Sequence, residues 1–443
     1  MASLIVLNLP RGALFGIDGH TWKTGEYFCG FQDVPEGLHW AYYTISVCEA
    51  QKGQYGFCQG FFFRIEAADR VIWQYNSNRE MLQREITETR LETVVQERLI
   101  VFPVEKNREH RVGKEAHILG SEAYISEFGC RVGDRALGAD IEEKEACTVD
   151  KSTHTISKNV HIVGGEVSTE GKRSIFGQLM CWITCSMLDK VLSVPWEVTS
   201  ATSSYLDEAL PGLPVIEAEG TMELLGIELR RTWRPGAVGQ EVTEGFLDKS
   251  WELERIIETE CLGGAGGLEC FFGLNWVDIG RFLGEFQMCF IVFIFVSNGS
   301  CLEQWKRMIT LISSCSRAIG SFSSFYVHWM DAFRIQLQYC PEDVFVDVFQ
   351  DRGYIKKSLK RLECNILNAE ASVGSLDAVK RAFMCLLDTL KQRFHIDLNI
   401  QKGTYLHSTS LVYDSENDEL VDMSDNDSYD NGDSDDDPIV VQL

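Results

Sequence analysis

The sequence predicts an α+β chain with an N-terminal β-rich, sandwich-like domain, a C-terminal all-α helical domain and a disordered acidic tail. Three observations carry this. Residues 4–75 are rich in aromatic, glycine and β-branched residues, with apolar runs at Leu38–Val47, Gly56–Ile65 and Val71–Tyr75, and such runs read as strands. From about residue 241 apolar side chains recur three and four apart in one segment after another, which is the helical period. Residues 414–437 hold twelve Asp or Glu and no Lys or Arg, a density of like charge that predicts disorder in isolation.

Taken in order, the run Leu38-His39-Trp40-Ala41-Tyr42-Tyr43-Thr44-Ile45 places bulky groups on both alternating faces, as expected of a strand covered on both sides. The rings of Phe15, Trp22, Trp40, Tyr42, Phe61, Phe62 and Trp73 are assigned to the core. Residues 79–100 change to a charged pattern with helical spacing and predict a helix across the sheet. Residues 105–172 show weak periodicity and predict a loop-rich insertion. Asn298-Gly299 breaks the chain, and Ser300-Cys301-Leu302-Glu303 has the form of a capping box, which starts a helix at Ser300. Further helices are expected at 323–339, 341–350, 354–367 and 375–394. The last carries Asp377 near its start and Lys391, Arg393 and His395 near its end, in keeping with the helix dipole. The expected boundaries are 1–104 for the β domain, 105–180 for the insertion, 181–242 for a connecting segment, 243–400 for the helical domain and 401–443 for the tail.

The chain has 443 residues, with 41 Lys or Arg against 66 Asp or Glu, for a net charge of −25. No run of basic residues offers the counterion release on which nucleic-acid binding depends, so direct nucleic-acid binding is not expected and protein partners are. The longest apolar run, Phe286–Val296, is shorter than the roughly 20 residues that span a bilayer, and it reads as a buried helix rather than a membrane anchor. The N-terminus lacks a basic flank and a secretory core, which places the protein inside the cell. Fifteen scattered cysteines give no disulfide framework. Cys181 and Cys185 have no partner cluster, so no metal site is expected.

No phosphate loop, nucleophile elbow or metalloprotease pair occurs, and Gly263-Gly264-Ala265-Gly266-Gly267 reads as a flexible link. His39 and His328 sit among aromatic residues, where a hydrogen-bonded core imidazole is the favoured reading. Asp18, in Gly16-Ile17-Asp18-Gly19, has no second matching turn to supply a carboxylate partner and is assigned to a turn. Neither catalysis nor a cofactor is expected. The alternatives weighed are a generic helical-repeat adaptor and, less favoured, a hydrolase built on Asp18 or His39.

Leu9-Pro10-Arg11-Gly12-Ala13-Leu14-Phe15-Gly16-Ile17-Asp18, then Trp22, Phe31, Val34-Pro35-Glu36-Gly37-Leu38-His39, Tyr42-Tyr43, Gly60-Phe61-Phe62 and Trp73 resemble the amino-terminal signature of the Aar-two family, the A1 cistron-splicing factors. The second half agrees. Trp182-Ile183-Thr184 resembles a family element, as do Thr243 with Asp248, Ser250, Leu253 and Glu254, and the blocks Leu283-Gly284-Glu285-Phe286-Gln287, Glu303-Gln304-Trp305-Lys306-Arg307 and Pro341–Asp347. The resemblance implies a non-catalytic assembly factor of the U5 small nuclear ribonucleoprotein, acting in pre-mRNA splicing and present in cytoplasm and nucleus. Its implied partner is the Prp-eight scaffold, contacted through RNase H-like and Jab/MPN-like domains so that the Brr-two helicase is kept off until maturation.

The end of the chain, Pro438-Ile439-Val440-Val441, suits strand addition to a partner's open sheet edge, because backbone hydrogen bonds and alternate side-chain pockets suffice. The family's tail is thought to dock this way. Ser415, Ser424 and Ser434 each have an acidic residue three positions later. They are candidate phosphorylation sites whose added charge would weaken docking on a partner edge that is not basic.

Overall fold

The computed structural model describes residues 2–46, 55–85, 98–102, 118–119, 174–192, 194–204, 221–261, 276–346, 353–369 and 373–398. Ten strands come first: Ser3–Leu7 (β1), Leu14–Ile17 (β2), His20–Lys23 (β3), Gly30–Gln32 (β4), Gly37–Ser46 (β5), Tyr55–Ile65 (β6), Arg70–Asn76 (β7), Met81–Glu85 (β8), Ile100–Val101 (β9) and Ile118–Leu119 (β10). One sheet has the order β8-β7-β1-β4-β9. The other runs β10-β3-β2-β5-β6-β11, where β11 is Glu197–Thr199. The spine of the second sheet is the long hairpin β5–β6, paired from Gly37↔Ile65 to Ser46↔Tyr55.

Alternation along this hairpin decides the architecture. Ala41, Tyr43, Phe61, Phe63 and Ile65 point into the space between the sheets, where Leu4, Val6, Phe31 and Trp73 meet them. Phe61 stacks on Trp73 across the two sheets at 3.9 Å between ring centres. Tyr43 bridges them as well, its hydroxyl accepting from the Leu82 amide at 2.6 Å and donating to Gln59 Oε1. The other face carries Trp40, Tyr42, Cys58 and Phe62, all buried, and it is closed by a helix. Both faces are therefore covered, as the bulky alternation predicts, and all seven rings assigned to the core are buried.

The helices are Ile175–Leu179 (α1), Cys185–Val191 (α2), Gln240–Leu247 (α3), Ser250–Ile256 (α4, continued by a π turn to Cys261), Trp276–Val296 (α5), Gly299–Ser313 (α6), Arg317–Ser321 (α7), Ser323–Tyr339 (α8), Glu342–Val344 (α9), Tyr354–Asn368 (α10) and Val373–Phe394 (α11). Helix α5 is the centre. Its stretch Ile279–Val296 is long and apolar enough to cross a bilayer, longer than the run Phe286–Val296 that by itself is too short to do so, yet most of it is buried inside the protein, as expected of a core helix. On one side Phe295 meets Tyr42 at 4.6 Å between rings and the Cys58 thiol donates to the Phe295 carbonyl at 3.2 Å. On the other, Phe286 lies parallel to Trp305 of α6 at 5.9 Å and also contacts Trp329 and Phe333 of α8.

Two expectations are corrected. Residues 79–100 do not open with a helix: Arg79 and Glu80 form a hairpin turn, Glu80 with φ 55°, and Met81–Glu85 is strand β8, paired antiparallel with β7. The alternation that buries Leu82 against the first sheet outweighs the helical spacing; residues 86–97 lie outside the described residues. Helix α6 is not capped by Ser300. Asn298 occupies the N-cap, its Oδ1 accepting from the Cys301 amide at 2.9 Å, and its Nδ2 donates to the carbonyls of Thr199 and Thr202 at 2.8 and 2.7 Å. Asn298 ties helix to edge strand, which a serine hydroxyl is too short to do. Of the helix expected over 341–350, residues 341–346 are described, with α9 at Glu342–Val344, and 347–350 lie outside. Of the insertion expected over 105–180, only β10 and residues 174–180 with helix α1 are described; the Gly263–Gly267 link lies outside, as do the whole of a second unit, Ile400–Leu443, and with it the tail.

Candidate functional site

The hairpin turn between β2 and β3 is the most chemically dense point of the β region. Asp18 and Gly19 both have positive φ, 49° and 80°, and the turn folds the Asp18 carboxylate onto β5. Oδ1 accepts from the Trp40 amide at 3.1 Å and Oδ2 faces His39 Nδ1 at 2.6 Å. On the far side of the ring His39 Nε2 donates to the Pro35 carbonyl at 2.8 Å. Burial opposes the charged imidazole, but the Asp18 hydrogen bond, its charge and the Pro35 carbonyl outweigh it and raise the His39 pKa. In the protonated form both ring nitrogens donate and no lone pair is left for proton abstraction. The dyad is therefore a buried clamp. Sequence reading sought a carboxylate partner for Asp18 and missed the histidine 21 positions away, which the pairing Ile17↔Ala41 brings alongside.

The same turn is where the β region meets the helices. A methyl group on Gly19 would lie 2.6 Å from the Tyr339 hydroxyl and 3.0 Å from the Phe176 ring, and one on Gly16 would sit 2.2 Å from the Tyr42 ring. Phe176, Phe295 and Tyr339 form an aromatic cluster behind it.

The helical sequence blocks act as latches. In Leu283–Gln287, Gly284 lets the 182 carbonyl close in, since a Cβ would be 2.6 Å from it. Gln287 accepts from the Trp182 amide at 2.8 Å and donates to the Gln178 carbonyl at 3.0 Å. Glu285 accepts from the Leu225 amide and from Gln304 Nε2, at 2.9 and 2.8 Å. Trp305 is buried, its Nε1 donating to Gln336 Oε1 at 2.9 Å, so packing is its role. Asp248 joins two helix starts. Oδ1 accepts from the Ser250 amide, the Ser250 hydroxyl and the Ser316 amide at 3.0, 2.5 and 3.0 Å. Oδ2 accepts from the Ser316 hydroxyl and Arg317 Nε, both at 2.9 Å. Burial pushes this carboxyl up, but the hydrogen bonds from Ser250 and Ser316 prevail and hold it below the usual carboxylate range.

Little is arranged for chemistry. His328 packs edge-on against Trp182 at 5.5 Å, and burial, only partly offset by Asp331, lowers its pKa. Cys181 accepts from Gln287 Nε2, and among the described residues no group of three His, Cys, Asp or Glu could hold a metal ion. Large apolar groups reach the surface at Val194, Val238, Leu247 and Val346. The sequence-predicted tail residues Pro438, Ile439, Val440 and Val441, and Ser415, Ser424 and Ser434, lie outside the described residues.

Residues 1–110 match the family description AAR2 N-terminal domain, and residues 224–399 match AAR2 C-terminal repeat region. The chain belongs to the AAR2 family. It is similar to the protein AAR2 homolog of Mus musculus, 23% identical over 365 residues, with 81% of each chain covered. The human protein AAR2 homolog is 24% identical over 375 residues, again with 81% of each chain covered. That of Caenorhabditis elegans is 23% identical over 399 residues, covering 90% of this chain and 95% of the relative. Family membership makes this a splicing-related protein, the Aar-two resemblance of the sequence now resting on both halves. The Asp18–His39 clamp lies in the first matched span, and the Asp248, Glu285 and Asn298 latches lie in the second.

Proposed function

We propose that this AAR2-family protein is a non-catalytic assembly factor of the U5 small nuclear ribonucleoprotein, acting in cytoplasm and nucleus. It binds the Prp-eight scaffold through that protein's RNase H-like and Jab/MPN-like domains and keeps the Brr-two helicase from binding early. The observation that carries the reading is the match of both the β region and the helical region to one splicing family. The geometry supports it from the side of chemistry, since the Asp18–His39 pair has both ring nitrogens engaged and the signature residues act as internal latches. The acidic tail contributes Ile439–Val441 as an added strand at a partner's sheet edge. On a tether such a weak contact gains from effective concentration and stays easy to dislodge. Phosphorylation at Ser415, Ser424 or Ser434 loosens it by adding negative charge where the partner edge is not basic.

A pull-down of the tagged full chain from a nuclear extract tests this. The Prp-eight scaffold is expected in stoichiometric amount, with less retained when residues 438–443 are deleted. Absence of the scaffold overturns the reading, and unchanged retention after the deletion removes the role given to the tail.

A further inference from the structure

Lys and Arg form no contiguous run in this acidic chain, but helix α10 folds four of them onto one exposed face. Lys356, Lys357, Lys360 and Arg361 are all exposed, while Ile355, Ser358, Leu359 and Leu362 turn inward. The helix carries a single carboxylate, Glu363, and has no acidic residue in its first turn. Among the described residues Lys356, Lys357 and Lys360 make no hydrogen bond or ion pair. Arg361 donates to the Ser314 hydroxyl at 3.1 Å. The nearest acidic group on the packed neighbour α6, Glu303, is already paired with Lys306 at 3.3 Å. Lys356 and Lys357 stand near the positive end of the helix dipole, where cations weaken a helix. The start of the helix thus departs from what stabilises it. Of the four cations, Lys360 has the charge of the Glu363 carboxylate and Arg361 the Ser314 hydroxyl, whereas Lys356 and Lys357 have no partner among the described residues.

We propose that the exposed face of helix α10 is a docking surface for an acidic segment of a partner protein. Four residues along a helix advance about 6 Å, which sets the spacing of Lys356 to Lys360 and of Lys357 to Arg361. Carboxylates at alternate positions of an extended strand lie about 6.6 Å apart, so one such segment meets both pairs of cations. Charge complementarity favours a short acidic peptide over RNA. The net charge of −25 repels an RNA strand, with a phosphate at every nucleotide, more than a peptide with a carboxylate at every second residue, and α10 exposes no aromatic ring on which a base could stack. The proposal stands apart from the identity of the scaffold named above.

The test is fluorescence anisotropy with the full chain and a labelled ten-residue peptide of alternating Glu and Ser, against a uridine decamer. The peptide is expected to bind weakly, to bind less as salt rises, and to lose at least tenfold in affinity with K356E/K357E/K360E. The control R79E/R84E/K190E, with the same charge change on other exposed positions, keeps affinity within threefold. Far-ultraviolet circular dichroism identical to wild type shows that both variants fold; if the first does not, K356Q/K357Q/K360Q is measured instead with the same expectation. An equal loss in the control, no peptide binding, or uridine decamer binding that is tighter and lost with the same three lysines would each overturn the proposal.

Discussion

Asp248→Ala removes the group on which two helix starts converge. Neither Lys249 nor Ser316, at the N-cap positions of α4 and α7, caps with its own side chain, so Asp248 supplies what each lacks. A lost cap costs about 1 kcal/mol, and two helices are affected. Ser250 is 1% exposed, and its stranded donors add about 1 kcal/mol more. The Arg317 contact adds under about 1 kcal/mol, because that side chain is 70% exposed. The expected loss is about 3 to 4 kcal/mol at pH 7, read from urea unfolding followed by tryptophan fluorescence. Asp248→Asn keeps one acceptor oxygen and should cost about half as much. The sign with pH follows from the depressed carboxyl: its contribution is complete above the unfolded value of about 3.9 and disappears as pH falls through the lower folded value. The gap between wild type and Asp248→Ala should therefore narrow in acid. A loss below about 1 kcal/mol at pH 7, or a gap that acid leaves untouched, would refute the convergence argument.

Glu197 on β11 accepts from Gln59 Nε2 at 3.1 Å, and burial, only partly offset by that bond, pushes its carboxyl up to about 7. Its raised value costs stability as pH climbs from about 4.5 to 7, so Glu197→Gln should match wild type near pH 4 and melt higher than wild type at pH 8 in thermal scans. His39 behaves oppositely to an acid with a depressed pKa: the Asp18 pairing stabilises fully below about 6.5 and fades as pH rises through the elevated folded value. Asp18→Asn should bring the His39 titration, followed by its imidazole proton resonances, to lower pH. On helix α5, Gly284→Ala places a methyl 2.6 Å from a backbone carbonyl, whereas Gly280→Ala meets nothing within 4 Å. The first should cost about 1 to 3 kcal/mol and the second should be neutral or stabilise by about 0.5 kcal/mol, both read as melting-temperature shifts.

The fold was legible where one short-range pattern decided the outcome. Gly37–Ser46 and Tyr55–Ile65 announce themselves because both of their faces are bulky, and Ser323–Tyr339 coincides with its predicted span because apolar spacing and burial agree. The pattern failed at Met81–Glu85, a short strand whose polar residues share a stretch with helical spacing and whose state is set by pairing with β7. It failed again at Asn298, because half of that residue's bonding goes to carbonyls nearly a hundred positions earlier. The clamp and the latches were out of reach for the same reason: Asp18 with His39, Asp248 with Ser316 and Gln287 with Trp182 are joined by folding, and no local periodicity encodes them. Family-like blocks flagged Asp18, His39, Asp248, Gln287 and Trp182 without giving their work, which is to hold the β2–β3 turn to β5, two helix starts to each other, and α5 to the 178–182 segment.

The central claim is that this protein acts by holding a splicing scaffold and not by turning over a substrate. Isothermal titration of the purified full chain with a purified Prp-eight fragment spanning the RNase H-like and Jab/MPN-like domains measures that directly. The account predicts saturable binding at one to one that persists in Asp18→Asn protein, provided that variant is folded. No heat of binding, together with no comigration of the two proteins on a sizing column, would contradict it.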